Sequence, residues 1–99
     1  MALIIAKKNS THGSLLVITD KDILGKRFSE GKLQLDLSKE FYQGEEKSND
    51  EVKKMIPEAR HLHLTGKEAV ALGIEMDLVE SKNILYVKKV PHAQVVMGE

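Results

Sequence analysis

The hydrophobic residues of the first twenty positions fall into two short runs. Residues 3–6 and 15–18 are apolar throughout, and a cluster of turn formers, Asn-Ser-Thr-His-Gly at 9–13, lies between them. Short apolar runs on both sides of such a cluster are typical of a β-hairpin, here with a loop of about five residues. Because neither run alternates with polar residues, we expect both strands to lie near the centre of a sheet.

A clean alternation of apolar and polar residues follows at positions 32–37. Leu33, Leu35 and Leu37 share one face of this predicted strand, and polar side chains occupy the other face. Before this strand, Asp20 can cap one helical turn and Gly25 can end it. The segment therefore predicts a short turn followed by a strand with one solvated side.

Two amphipathic segments come next, and each begins with the spacing of a capping box. Ser48 and Glu51 precede a helical face made of residues 52, 55, 56 and 59. Pro57 lies inside that pattern and should end or kink the helix near residue 56, because proline lacks an N–H. Thr65 and Glu68 have the same spacing at the start of a second helix, with apolar residues at 69, 72, 73 and 76.

The C-terminal segment predicts two more strands. Residues 84–87 are strong strand formers, and a last short strand is expected at 93–97. Pro91 cannot donate to a sheet ladder, so it marks a strand start, a bulge or an edge. In an extended chain His92 and Gln94 share one face, and the apolar residues beside them share the other. We therefore expect the chain end to be part of the sheet and to present this polar pair outward.

The order of these elements is a hairpin, a strand, two helices and two strands. It predicts an α+β fold, with a mostly antiparallel sheet of about five strands and two main helices packed on one face. A chain of 99 residues is long enough for one hydrophobic core but not for two. Residues 1–99 are therefore expected to form a single domain.

The composition excludes several classes of function. The chain has no cysteine, which rules out disulfides, thiolate zinc sites and cysteine nucleophiles. No apolar run approaches the roughly 20 residues of a membrane helix. Lys7 and Lys8 follow the N-terminal apolar run, whereas the basic residues of a secretory signal precede it. We therefore expect an intracellular protein with no membrane partner.

The net charge is zero, but the charges are unevenly distributed along the chain. Residues 1–32 and 82–99 carry a basic excess, whereas residues 36–51 are acidic. If the two ends of the chain meet in space, their basic residues would form one region that can contact phosphates. The alternative is a scattered, solvated surface, and the few aromatic residues give little support to base stacking. The basic residues concerned are Lys7, Lys8, Lys26, Arg27, Lys88 and Lys89.

Histidines and carboxylates are the remaining candidates for site chemistry. His61 and His63 would point the same way on a strand and could share a metal, but on a helix they would diverge. We favour solvent-facing or capping histidines and expect neither a metal nor a cofactor. His92 can act as a general base with Asp22 or Glu30 as its acid. No nucleophile motif accompanies it, so no catalytic residue is assigned.

The chain resembles a known family in two stretches. They are DKDILGKRFSEGKLQLDLS (residues 20–38) and LHLTGKEAVALGI, which is followed by NILYVKKVPHAQVV. Both are similar to the archaeal family catalogued as domain of unknown function 424. The resemblance covers nearly the whole chain and implies a cytoplasmic archaeal protein associated with the translation apparatus, but it supplies no activity. The family has an asparagine-like residue where His63 stands, which further disfavours a metal. The most specific matching residues are Leu24, Gly25, Lys26, Phe28, Glu30, Gly31 and residues 91–95.

The charge pattern and the C-terminal segment predict a small binding module that contacts RNA or the ribosome in translation or RNA processing. His92 and Gln94 would form the specific hydrogen bonds to RNA or a protein partner, because both side chains can donate and accept. Two alternatives stay open: a small enzyme with a His92-centred pocket, and a protein-interaction domain that pairs through the terminal strand. The predicted phosphate contacts are Lys26, Arg27, Lys88 and Lys89.

Overall fold

The described part of the chain, residues 2–11 and 13–97 of a computed structural model, contains eight strands and two α-helices. The helices are α1 (Asn49–Met55) and α2 (Lys67–Glu75). The strands are β1 (Leu3–Ser10), β2 (Gly13–Asp20), β3 (Arg27–Glu30), β4 (Leu33–Asp36), β5 (Glu45–Lys47), β6 (His61–Thr65), β7 (Leu85–Val87) and β8 (Val90–Val96).

Six of these strands form one sheet in the order β5-β1-β2-β6-β8-β7. Neighbouring strands are antiparallel, except that β2 and β6 run parallel. The other two strands, β3 and β4, form a separate hairpin. The prediction of a mixed fold with a mostly antiparallel sheet and two helices is confirmed, but the sheet has six strands where about five were predicted.

The two sheet strands that the sequence did not predict are β5 and β6. β5 is a short, charged edge strand, and charge on an edge prevents further pairing. β6 alternates histidine with fully buried leucine, and it lies between two helices in the sequence. The alternating segment at 32–37 does form a strand, β4, but it pairs with β3 outside the main sheet. Alternation predicts a strand without choosing its partner.

The N-terminal hairpin is confirmed, with longer strands than the apolar runs suggested. β1 and β2 pair continuously from Leu3↔Asp20 to Ser10↔Gly13. The connection between them is therefore shorter than the predicted loop of about five residues, and His12 within it lies outside the described residues.

The start and end of α1 agree with the sequence prediction. The Ser48 hydroxyl accepts a hydrogen bond from the Glu51 N–H at 3.3 Å, and the Glu51 carboxylate accepts one from the Ser48 N–H at 3.1 Å. These reciprocal bonds form the predicted capping box. α1 ends at Met55, and Pro57 lies in the 3-10 turn that follows.

Replacing Ser48 with alanine should lower the free energy of unfolding by about 1 kcal/mol, because the N-cap acceptor is lost. Urea unfolding followed by circular dichroism measures this change. Ser48→Asp is the matched control, since aspartate can accept the same N–H, and it should retain most of the stability. Equal destabilisation by both substitutions would contradict the assigned role of the hydroxyl.

The predicted capping box at the start of α2 is wrong. Gly66 is the N-cap residue, and no side chain of its own turn caps the helix. Instead, the Asp20 carboxylate accepts hydrogen bonds from the Glu68 and Ala69 N–H groups at 2.9 and 2.8 Å. Asp20 was predicted to cap the turn that follows it, but no hydrogen bond of its side chain does so. Because β2 and β6 are parallel and end side by side, its carboxylate reaches α2.

The main core combines residues of the sheet with residues of the two helical regions. Val52 and Ile56 from the α1 region and Ala69, Val70 and Leu72 from α2 share this core with the strands. A second, smaller cluster joins the β3–β4 region to β7 and consists of Leu35, Leu37 and Val87. In the described part of the chain, no helix is long and apolar enough to cross a membrane. The strand residues of the main core are Leu3, Ile5, Leu16, Ile18, Leu62, Leu64 and Ala93.

Candidate functional site

The sheet face opposite the main core carries the polar residues singled out in the sequence. The registers of β1, β2, β6 and β8 place its side chains in three cross-strand rows, because residues two apart on a strand share a face. We call this surface the polar face. Its rows are Lys8–Leu15–His61–Val96, Ala6–Val17–His63–Gln94 and Ile4–Thr19–Thr65–His92.

His92 is held by the pairing of β8 with β6. The N–H of Gly66 donates to the carbonyl of Pro91 at 2.9 Å, so Thr65 and His92 form a non-hydrogen-bonded pair, in which side chains approach closely. Accordingly the Thr65 hydroxyl lies 2.8 Å from His92 Nδ1. The amide nitrogen of Gln94 lies 3.5 Å from His92 Nε2. These contacts fix the orientation of the imidazole.

Pro91 lies inside the terminal strand, between β6 and β7, and not at an edge of the sheet. Its missing N–H would face the carbonyl of Gly66, just beyond the end of β6. That carbonyl instead accepts the first helical bond of α2, from the Val70 N–H at 3.0 Å. A proline is therefore tolerated at position 91, because the Gly66 carbonyl already accepts a hydrogen bond and needs no N–H from that position.

His63 lies between two other rings on the polar face. Its ring centroid is 5.3 Å from that of Phe41 and 5.5 Å from that of His92, and both pairs are edge-on. Lys8 Nζ lies 5.1 Å above the Phe41 ring, within the range of a cation–π contact. His63 Nδ1 and Thr19 Oγ1 are buried without a hydrogen-bond partner in the described part of the chain.

Both of these imidazoles are kept neutral by their surroundings. Burial lowers the pKa of His92 to about 4, with a smaller contribution from the neighbouring His63. Burial also lowers the pKa of His63, assisted by His61. Near neutral pH, His63 and His92 therefore offer one donor and one acceptor nitrogen each instead of a positive charge.

The stability of the fold should fall as the pH drops from about 6.5 to about 4. The pKa of His92 is lower in the folded protein than its ordinary value of 6.5, so the unfolded chain binds more protons in this window. We expect a loss of roughly 2 kcal/mol, since one pKa unit corresponds to about 1.4 kcal/mol and part of the ring contacts solvent.

Urea unfolding at stepped pH measures this effect, with His92→Gln as the comparison. The variant should show a flatter profile between pH 6.5 and 4, because the contribution of His92 is then absent. Identical profiles for the two proteins would contradict the assignment to His92.

Four lysines from three separate segments line one pocket of about 270 Å³ at the carboxyl end of β6. We call it the lysine pocket. Asp20 and Asp22 also line it, but the Asp20 carboxylate is engaged by the N–H groups at the start of α2. Burial raises the pKa of Asp20, against the effect of those two bonds. The lysines are Lys26, Lys67, Lys88 and Lys89.

Lys88 and Lys89 form the two-residue turn between β7 and β8. Their φ angles are +51° and +67°, and Val87 pairs with Val90 across the turn. Positive φ at both central residues is the signature of a type I′ turn, which favours Asn-Gly. The Glu30 carboxylate accepts a hydrogen bond from the Lys88 N–H at 2.9 Å, which ties this turn to β3.

The predicted single basic region is divided by the fold. β7 lies at the far edge of the sheet, separated from β2 by β6 and β8, so the first hairpin is not beside Lys88 and Lys89. Lys26 does join those two lysines. Arg27 pairs with Asp36, with 3.4 Å between Nε and Oδ1, and it does not line the lysine pocket.

A wider groove of about 880 Å³ lies at the other end of β6. Gln94, one of the predicted site residues, lines it, whereas His92 lines neither this groove nor the lysine pocket. The groove also receives residues that the sequence did not assign to a site. It is lined by Lys8, Thr11, Gly13, Leu15, Arg60, His61, Leu62, His63, Gln94, Val95 and Val96.

The sequence did not assign Lys67 or Arg60 to a site. It predicted Lys8 only as part of the basic region and His61 only as a possible metal ligand, whereas both line the groove. Lys67 carried a local signal, since it follows Gly66 at the start of a helix. Arg60 and His61 are adjacent in the sequence, and only the sheet order brings Lys8 of β1 to the same groove.

The contacts of His92 differ from those that the enzyme hypothesis requires. Its ring nitrogens contact Thr65 and Gln94. The carboxylate of Glu30 bonds the Lys88 N–H, and Asp22 lines the lysine pocket. His61 and His63 do share one face of a strand, but no cluster of three or more metal-ligating side chains occurs among residues 2–11 and 13–97.

The terminal strand is paired on both sides only in its first half. β7 pairs with Val90, Pro91 and His92, so from Ala93 to Val96 the outer edge of β8 has no strand partner in the described part of the chain. Strand addition by a protein partner would have to occur at this second half, and not near Pro91 as predicted.

Comparison with known families and structures places the chain in a class of small proteins. The model of the family described as "Protein of unknown function (DUF424)" matches residues 8–97, so the chain belongs to this family. The fold is similar to the crystal structure of an uncharacterized conserved protein from Methanopyrus kandleri, with a TM-score of 0.80 and 21% sequence identity. That similarity covers 100% of this chain and 96% of the other. No curated protein matches the sequence.

Proposed function

We propose that the protein is a small RNA-binding module that holds the phosphate backbone in the lysine pocket. The observation that carries this proposal is the convergence of four lysines from three distant segments on one pocket. Four lysines outnumber the two carboxylates that share the pocket, and one of these carboxylates, Asp20, is engaged by hydrogen bonds from α2. The pocket therefore keeps a positive excess, as phosphate contacts require.

The turn that carries Lys88 and Lys89 supports this proposal. A lysine with positive φ costs about 1 kcal/mol relative to glycine or asparagine, and this turn contains two in succession. The hydrogen bond from Lys88 N–H to Glu30 holds the turn in place despite that cost. An unfavourable residue pair at a well-anchored turn favours a role for the two side chains beyond closing the hairpin.

The polar face supplies the second part of an RNA-binding surface. Gln94 is exposed, and His92 is neutral and held by Thr65. Neutral amide and imidazole groups can recognise bases through hydrogen bonds, while lysines recognise the backbone without regard to sequence. We further propose that the protein acts in the cytoplasm, in translation or RNA processing, as the family resemblance implies.

The proposal is tested by measuring RNA binding at several salt concentrations, with fluorescence anisotropy of a labelled single-stranded RNA. Four lysine–phosphate contacts predict that log K falls with log salt with a slope of about −3. Co-sedimentation with ribosomal subunits from native extract, at low and at raised salt, then tests the link to translation. Undetectable binding at low salt, or affinity that does not change with salt, would contradict the proposal.

A further inference from the structure

The groove has the charge of an anion-binding site. Lys8 and Arg60 line it, and no aspartate or glutamate of residues 2–11 and 13–97 does. Neither cation takes part in an ion pair with another residue of the described chain. Lys8 is instead held over the Phe41 ring. Two cations that lack a carboxylate partner among the described residues, in a concave site, favour an anionic ligand.

The floor of the groove is suited to a flat, apolar ring. The first row of the polar face contributes Leu15, His61 and Val96 side by side. Val96, at the end of β8, is 66% exposed, so its aliphatic surface is open at this end of the sheet. His63 adds the edge of a neutral imidazole, whose own edge-on contact with Phe41 holds it in place.

Gln94 supplies a directional polar group at the rim of this floor. It pairs with His63 across β6 and β8, and its amide is exposed beside the groove. A carboxamide offers two donors and one acceptor oxygen, which matches the mixed donor and acceptor edge of a nucleobase. The groove therefore has what one nucleotide needs. Its apolar floor and the carboxamide at the rim suit the base, and its two cations suit the phosphate.

We propose that the groove binds a nucleotide unit of single-stranded RNA. The base lies on Leu15, His61 and Val96, the Gln94 amide bonds its edge, and Lys8 and Arg60 contact the adjoining phosphate. This inference rests on the proposed RNA-binding function and deepens it by specifying that the bound RNA is single-stranded. A base inside a duplex is stacked on both faces and cannot lie on the floor, so the site selects unpaired RNA.

The groove and the lysine pocket lie at opposite ends of β6. From His61 to Gly66 a strand rises about 17 Å, at about 3.3 Å per residue. A stacked single strand advances about 3.4 Å per nucleotide, so roughly five nucleotides span the two sites. Affinity should therefore rise steeply with length up to this size and slowly beyond it, because a strand that reaches both sites gains from their combined binding.

The experiment compares an oligouridylate of about ten nucleotides, long enough to span both sites, with the same strand annealed to oligoadenylate. We expect wild-type protein to bind the single strand at least about tenfold more tightly than the duplex. His61→Ala with Gln94→Ala should weaken the binding of the single strand at least about tenfold and so remove this preference. Lys88→Glu with Lys89→Glu should instead weaken the binding of both ligands. In unmodified protein, the side-chain amide signals of Gln94 should shift in NMR spectra when the single strand is added.

The possible failures of the two proposals differ. If the groove variant binds both ligands like the wild type, and the Gln94 amide signals do not move, the groove inference is overturned while loss of binding in the lysine variant still supports RNA binding. If the lysine variant binds normally, the proposed function of the lysine pocket is overturned. If a polyglutamate peptide shifts the Gln94 signals more strongly than the oligouridylate, the groove belongs to an acidic protein partner and the inference is wrong.

Discussion

Replacing Lys88 and Lys89 with glutamate should lower the affinity for single-stranded RNA by at least about 100-fold at low salt. Each lysine near a phosphate is worth about 1 kcal/mol, and reversal both removes that attraction and adds repulsion. The slope of log K against log salt should become shallower by about 1.4, because two phosphate contacts are lost. Fluorescence anisotropy over a salt series measures both changes.

The same turn offers a variant that separates binding from folding. Lys88→Asn with Lys89→Gly introduces the residue pair that a type I′ turn prefers, at the positive φ angles already present. This variant should be more stable than the wild type by about 2 kcal/mol, about 1 kcal/mol for each replaced lysine, and it should still bind RNA more weakly. A protein that gains stability while it loses affinity cannot owe the loss to unfolding.

Lys53→Glu with Lys54→Glu is the charge-matched control, because these adjacent lysines lie on α1 and line neither the groove nor the lysine pocket. Lys53 forms an ion pair with Glu75, so the control is first checked for an intact fold by circular dichroism. If the control loses as much affinity as the Lys88 and Lys89 reversal, the effect is one of net charge and not of the lysine pocket.

Gly66→Ala should destabilise the protein by about 3 kcal/mol or more. Gly66 has a φ of +108°, and an added Cβ would lie 2.6 Å from both carboxylate oxygens of Asp20. The backbone strain costs about 1 kcal/mol, and the overlap costs more because Asp20 cannot move without releasing the N–H groups of Glu68 and Ala69. The midpoint of urea unfolding measures the loss.

Gly25→Ala provides the comparison for this substitution. Gly25 also has a positive φ, +89°, but an added Cβ there meets nothing within 4 Å. Gly25→Ala should therefore lower the free energy of unfolding by only about 1 kcal/mol, from backbone strain alone. In addition, Asp20→Ala combined with Gly66→Ala should cost less than the sum of the two single changes, because removal of the carboxylate relieves the overlap. Equal losses for the two glycine variants would contradict the close approach of Asp20 to Gly66.

Several local features could be predicted from the sequence because their determinants lie within a few residues of one another. The Ser48–Glu51 capping box and the end of α1 before Pro57 depend on side chains within one or two helical turns. The hairpin of β1 and β2 follows from two apolar runs and the turn formers between them. The position of His92 and Gln94 on one face of the strand could likewise be predicted, because the side chains of a strand alternate between its faces.

The errors occurred where a distant partner replaces a local one. Thr65 and Glu68 have the spacing of a capping box, yet Asp20 caps α2 from a parallel strand 48 residues earlier. The basic residues near the two chain ends were expected to form one region, but the insertion of β6 and β8 between β2 and β7 prevents it. A pattern of residues along the chain contains no information on the order of strands in the sheet.

The sequence by itself determined that this protein has strands and two helices, where α1 begins and ends, and which terminal residues share a face. These properties follow from hydrophobic periodicity, capping and turn preference, which act over a few residues. Only the tertiary structure decided which side chains meet. It brought Lys26, Lys67, Lys88 and Lys89 to one pocket and placed Lys8 and Arg60 at the other end of β6. The reason is that strand order follows from the burial of a whole sheet face in one core, an energy that no single segment contains.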